Sequence, residues 1–277
     1  MAVTLGADVL SQYRRFSLYN SPYDAHDAGC AIDLYPEDQT AAPSPVAGEV
    51  LDTRTVSAPP KPYAVEHDYL ILVDTGEYVA RALHVKPGVE PGEYVERGDS
   101  LGELVRSGFF APWVDNHVHL GFRDPDGNHL RASGSLPVDV DVPLEPLAWD
   151  GSGTVVETGE TYAVLDSPAH PNPGARWVGV ANDGGGLLDG GLCHYDGGGL
   201  LGGGNEASPS LLGTPLGSVG PDGRTVSWDD LTVRANGRAI TGLSLFLARD
   251  DAFGVKLVCP DADFPVGTDV TVEIARR

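Results

Sequence analysis

Two β-prone runs, Tyr69-Leu70-Ile71-Leu72-Val73-Asp74 and Tyr78-Val79-Ala80-Arg81-Ala82-Leu83-His84-Val85, meet at Thr75-Gly76. Side chains of a strand alternate between two faces, and strands joined by a short Gly turn pair as an antiparallel hairpin. The pattern recurs. Pro45-Val46-Ala47-Gly48-Glu49-Val50 reads as strand, Gly turn and strand, and residues 89–104 as a Gly-punctuated hairpin. Further short strands are expected at 154–157, 161–166, 177–181, 225–233, 239–248, 254–259 and 270–274. Helix signals are confined to residues 7–15 and 208–212, so the expected fold class is all-β.

A length of 277 residues suits two domains. The first is expected to span 1–136. A Pro-containing stretch at 137–153 reads as an extended linker, and 154–277 as a second β-rich domain, a sandwich or barrel serving binding or scaffolding. Residues 184–204 hold eleven glycines interrupted by Leu187-Leu188, Leu192-Cys193-His194-Tyr195 and Leu200-Leu201. Leucine pairs between glycine runs favour an ordered, turn-rich loop packed on a sheet.

The chemistry concentrates in Asn116-His117-Val118-His119-Leu120-Gly121-Phe122. On a strand, His117, His119, Gly121 and Arg123 share one face, while Val118, Leu120 and Phe122 anchor the other. Two imidazoles on a rigid strand suit a zinc site, where one binds metal and the other moves a proton. The blander reading is a pair of hydrogen-bonded or solvated histidines. Upstream stand Cys30-Ala31-Ile32-Asp33-Leu34-Tyr35 and a strand ending in Leu83-His84. His67, His129 and His170 read as strand-edge or loop residues, and Cys193-His194 as a buried thiol beside a polar histidine.

The order of these motifs resembles the lysostaphin-type zinc metallopeptidases, the His-x-His peptidoglycan endopeptidases, over roughly residues 20–135. That resemblance implies a curled antiparallel sheet around a groove. It implies Zn2+ on Asp33 and His119, with His84 and His117 as the catalytic pair that orients an attacking water and stabilises the oxyanion. The substrate class would be a peptide or peptide-like molecule. The family writes its first ligand as His-x-x-x-Asp, whereas Gly29 stands four residues before Asp33. Three alternatives follow: His26 reaches the site through a turn at Asp27-Ala28-Gly29; Cys30 supplies a thiolate; or the site is degenerate and the domain is a ligand-binding or structural module. The Gly48 and Gly98–Gly102 hairpins also resemble biotinyl and lipoyl carrier domains, but no lysine stands at a hairpin tip between them.

Composition bears on surroundings. The chain carries 40 Asp and Glu against 18 Lys and Arg, a net charge of −22, with only 3 lysines. Such a chain self-repels in dilute buffer and is screened in molar salt, which suggests a cytoplasmic protein of a halophile. With no basic stripe to neutralise phosphates, nucleic acid is not an expected partner. No uninterrupted apolar run approaches the roughly 20 residues that span a bilayer, so no membrane association is expected. Residues 1–10 lack the charged start and apolar core of a signal peptide. Cys30, Cys193 and Cys259 are odd in number and widely spaced, as reduced thiols would be.

Overall fold

The computed structural model describes residues 2–203 and 207–277. It is nearly all β, as expected, with a curled antiparallel sheet in its first half and a second β-rich domain. Two compact units are present: Met1–Phe16 with Tyr23–Asp141, and Ser17–Pro22 with Val142–Arg277. Three expectations need correction. The helix at 7–15 shrinks to Ala7–Leu10, because Arg14 and Arg15 enter a strand at Tyr13–Ser17 in which Tyr13, Phe16 and Ser17 are buried. Residues 208–212 form no helix; Ser210–Leu211 pairs as a strand with Thr214–Pro215. The stretch 137–153 is not a free linker. Val138–Asp141 adds in parallel to Val3–Gly6, and Leu144–Leu147 adds in parallel to Trp177–Val180.

In the first unit the strands run in the order Tyr94–Val95, Gly48–Ser57, His67–Asp74, Val79–Leu83, Val118–Arg123, Ala31–Pro36, Tyr13–Ser17. Register sorts their side chains. Ile71 lies opposite Ala82, Ala82 opposite Leu120 and Leu120 opposite Ile32, so one face is apolar and fully buried. Moving one residue along each strand reaches the other face, which carries Asp33, His119, Arg81 and Arg123, all buried. A sheet buried on both faces in its middle reads as near-continuous apolar sequence. That is why the polar residues on those strands stand out as candidates.

The second unit is built on an eleven-stranded antiparallel sheet. The expected strands at 154–157, 161–166, 177–181, 254–259 and 270–274 all appear within a few residues, while 225–233 and 239–248 break into shorter ones. The Gly-rich stretch is the main surprise. Of 184–204, Gly204 lies outside the described residues, and the rest is no loop: Leu187–Leu192 and Gly197–Leu201 pair as a buried hairpin inside the sheet. Glycine is what admits the neighbours. A Cβ on Gly199 would fall into the Tyr19 ring, and one on Gly198 into the Trp228 ring. Aromatic rings thus replace absent side chains on both faces of one strand.

This contact is testable. Gly199→Ala is expected to destabilise the second unit by about 1–3 kcal/mol, the usual cost of overpacking, read as a lower urea midpoint. Adding Tyr19→Ala should recover part of the loss, since removing the ring removes the clash. A midpoint unchanged by Gly199→Ala would show that the ring has room to move. The segment Ser17–Pro22 is held by the same unit. Ser17 Oγ donates to Asp189 Oδ1 at 2.5 Å, Leu18 N donates to Asp189 Oδ2 at 2.6 Å, and Asn20 Nδ2 donates to Ser244 Oγ at 2.8 Å.

Candidate metal centre and its flanking histidines

Register brings the first two candidates together. Asp33, in the middle of the wholly buried strand Ala31–Pro36, lies directly opposite His119 of Val118–Arg123. Side chains so paired point to one face within reach of each other, and His119 Nδ1 sits 3.0 Å from Asp33 Oδ1. The third member comes from outside the sheet. Residues Asp24–Gly29 form a 3-10 turn that breaks at Asp27, whose backbone is extended, and Ala28, whose φ is +53°. With Gly29 also at φ +67°, the chain reverses and lays His26 over the strand it precedes. A glycine adopts that conformation without steric cost. His26 Nε2 then lies 3.2 Å from Asp33 Oδ1 and 3.0 Å from His119 Nδ1.

His26, Asp33 and His119 therefore meet as one buried group. In a tetrahedral site with metal–ligand bonds of about 2.0–2.2 Å, ligand atoms stand about 3.3–3.5 Å apart. The observed separations need to widen by only a few tenths of an ångström to accept an ion. Among the described residues no cysteine joins the group. Cys30, the alternative third ligand, is a half-buried cysteine outside any disulfide, at the end of the 3-10 turn.

His117 and His84 flank this group. His117 Nδ1 donates to the Asp115 carbonyl at 2.8 Å. A carbonyl can only accept, so Nδ1 carries the proton, and Nε2, 3.5 Å from Asp33 Oδ1, is left as an acceptor. His84 follows strand Val79–Leu83 with φ +68°, a left-handed conformation that a non-glycine residue adopts at a cost. That twist turns its ring toward the other histidines, 5.0 Å from the His117 ring and 5.8 Å from the His119 ring between centroids. Phe110 packs against both His84 and His117. All four expected site residues thus converge, and His26 joins them.

The sequence reading missed Asp68. Its carboxylate accepts from His84 Nδ1 at 2.6 Å, from the His84 backbone N–H at 3.1 Å and from Ser107 Oγ at 2.6 Å. Asp68 is fully buried, two residues before Leu70 and on its face. An acid of core parity at the start of an apolar strand was the available signal. Burial works to raise its carboxyl, but the His84 imidazole and these hydrogen bonds outweigh that and hold it below the ordinary value. An imidazole so paired is fixed in ring orientation and tautomer.

Protonation follows the same logic at the cluster. Burial alone would raise the Asp33 carboxyl, but His117, His26 and the hydrogen bonds from His119 and His26 outweigh it and hold it well below the carboxylate range. Burial pushes both His117 and His119 down to about 4, against the pull of Asp33. Both rings are then neutral near pH 7, the form a ligand or a base requires. The sign for stability is clear. Between about 6.5 and 4 the unfolded chain binds protons at these histidines that the folded chain excludes, so stability falls as pH falls. Each histidine contributes a slope of up to about 1.4 kcal/mol per pH unit. In chelator and fixed salt, the urea midpoint of the metal-free protein should drop between pH 6.5 and 4.5, and more gently in His117→Gln. Equal slopes in the two proteins would refute the assignment.

Comparison with known families gives two matches. One described as "Domain of unknown function (DUF8155) N-terminal domain" covers residues 4–140, and its C-terminal counterpart covers residues 145–275. No curated protein matches the chain.

Proposed function

From the premise that the chain belongs to the DUF8155 family through both of its domains, we propose that its first domain is a zinc-dependent, metallopeptidase-like hydrolase acting on a peptide or peptide-like carbonyl. One observation carries this reading. Three donor atoms of His26, Asp33 and His119 converge within 3.2 Å in a buried pocket, beside two further histidines whose ring nitrogens are set by Asp115 and Asp68. Three protein ligands are the set that a catalytic zinc site uses, with a position left for water. The motif order that resembles the lysostaphin-type peptidases supports the same chemistry.

Zinc held by His26, Asp33 and His119 would lower the pKa of a bound water to about 7 and polarise a carbonyl. The protein's own groups supply the rest. His117 presents a neutral Nε2 that can take a proton from a nucleophile, because its Nδ1 is committed to the Asp115 carbonyl. His84 donates its Nδ1 proton to the Asp68 carboxylate, which fixes the ring and leaves Nε2 as the atom that takes up a proton and gives it back. A ring held in that way donates to an oxyanion or a leaving amine. Phe110 covers both rings and limits water around them.

The test is cleavage of a set of fluorogenic peptides by the full chain in molar salt, with zinc and with chelator. Zinc-dependent cleavage supports the hydrolase; stoichiometric zinc without cleavage of any peptide supports the non-catalytic binding module. We further propose that the protein works in a high-salt, reducing cytoplasm. The acid excess and three cysteines outside any disulfide support this, and among the described residues no helix is long and apolar enough to cross a membrane. Its melting temperature should accordingly rise from dilute buffer to molar chloride as repulsion is screened. A melting temperature flat across that range refutes the high-salt reading.

A further inference from the structure

We propose that Arg81 and Arg123 form an anion site beside the metal cluster, one that takes the carboxylate of a substrate bound there. Both guanidiniums are buried, Arg81 at 5% exposure and Arg123 at 2%. Arg81 Nε, Arg123 Nε and Arg123 Nη1 have no hydrogen-bond partner, and among the described residues neither arginine forms an ion pair with a carboxylate. Buried cations are normally paired, because an uncompensated charge in a dry interior is strongly unfavourable. Acidic side chains outnumber basic ones 40 to 18 in this chain, yet none is placed against these two. The missing counter-charge is one the sequence could easily have supplied.

Register places the pair. Arg81 lies opposite Gly121 and Arg123 opposite Val79, so both project from the face that carries Asp33 and His119. Gly121 stands two residues from His119, about 7 Å along the strand. A Cβ at Gly121 would come within 2.9 Å of Ser135 Oγ. The space a side chain would take there is filled by Ser135, whose hydroxyl therefore lies on the strand face between the cluster and the arginines. Arg123 is held in place by one edge only, Nη2 donating to the Arg131 carbonyl at 2.7 Å. Burial, and then the Arg123 charge, lower the Arg81 guanidinium to about 10. The two cations repel one another, the Cys30 thiol offsets only part of the cost at Arg123, and an anion there would relieve both.

The chemical class follows from reach. A peptide spans about 3.3–3.6 Å per residue, so a carboxylate one or two residues beyond a carbonyl at the cluster arrives at the level of Arg81. Guanidinium forks match carboxylate geometry. The inferred substrate is a peptide whose chain terminus or acidic side chain lies that close to the reacting bond. Its role toward substrate rests on the hydrolase reading above; the anion site itself does not.

The test uses acetate as the probe and no metal, so that its outcome is separate from that of the zinc experiment. The full chain, treated with chelator, is melted at constant molar ionic strength as chloride is exchanged for acetate. The midpoint is expected to rise by several degrees in the wild type and to stay flat in Arg81→Gln and Arg123→Gln. A response identical in wild type and variants, or absent from the wild type, overturns the proposal. Should either variant fail to fold, line broadening of 13C-labelled acetate by the wild-type protein decides alone: broadening that chloride at matched concentration does not remove supports a carboxylate site, and no broadening, or removal by chloride, overturns it.

Discussion

Protein purified in molar salt is expected to carry one equivalent of zinc, and His26→Ala to lose it. The reasoning is one of counting. Removing residues that merely orient ligands typically costs 10–100-fold in metal affinity, so deleting one of three ligands should cost more than about 100-fold. Asp33→Ala and His119→Ala should behave alike, because their donor atoms stand 3.0 Å apart and neither alone holds an ion. Cys30→Ala should leave zinc in place, since its thiol is not part of the group. Zinc content by mass spectrometry, with a chelator titration for affinity, reads all four. Full occupancy in both Asp33→Ala and His119→Ala would show that the metal sits elsewhere, or nowhere specific.

The second large effect separates ligand from reactant. His117→Ala and His84→Ala should retain zinc yet reduce kcat by about 10²–10⁴, the range associated with losing a general acid or base. His84 offers a sharper version. Its φ of +68° is costly for any residue with a Cβ, so His84→Gly should relieve that strain, while it leaves the buried Asp68 carboxylate without its imidazole partner and loses cleavage. Zinc retained with cleavage lost is the outcome that a merely structural histidine would not give. Asp68→Asn should imitate a weakened His84, because an amide oxygen accepts from Nδ1 less strongly than a carboxylate and holds the ring less firmly. Cleavage undiminished in His84→Gly would remove that residue from the mechanism.

Much of the site was legible because strand parity is rigid. His117, His119, Gly121 and Arg123 share a face by spacing alone, and Asp33 becomes the partner of His119 once the two strands pair. His26 was only one alternative of three, since its distance of seven residues from Asp33 is incompatible with a continuous strand. What resolved it is the left-handed backbone at Ala28 and Gly29, a conformation that Gly29 hints at and Ala28 does not. Asp68 was missed for another reason. Its core parity on an apolar strand was a faint local hint, while its partner, His84, is 16 residues away across a hairpin. The Gly-rich stretch misled because glycine disfavours strands in general. Here the rings of Tyr19 and Trp228 fill the space that side chains would occupy, and no window of local sequence contains them.

The residence of Ser17–Pro22 in the second unit has a consequence for the order of assembly. Ser17 and Asp189 are 172 residues apart in the chain, so the segment leaves the ribosome long before its dock exists. The second unit then cannot close its own contacts until a long loop has been drawn shut, a step whose entropy grows with loop length and whose non-local character slows folding. Nor is a fragment beginning at Val142 equivalent to this unit, although the matched C-terminal domain begins at 145. It would bury the Asp189 carboxylate with neither the Ser17 hydroxyl nor the Leu18 amide to receive it. Supplying residues 17–22 in trans, as a peptide, is the way to restore what that cut removes.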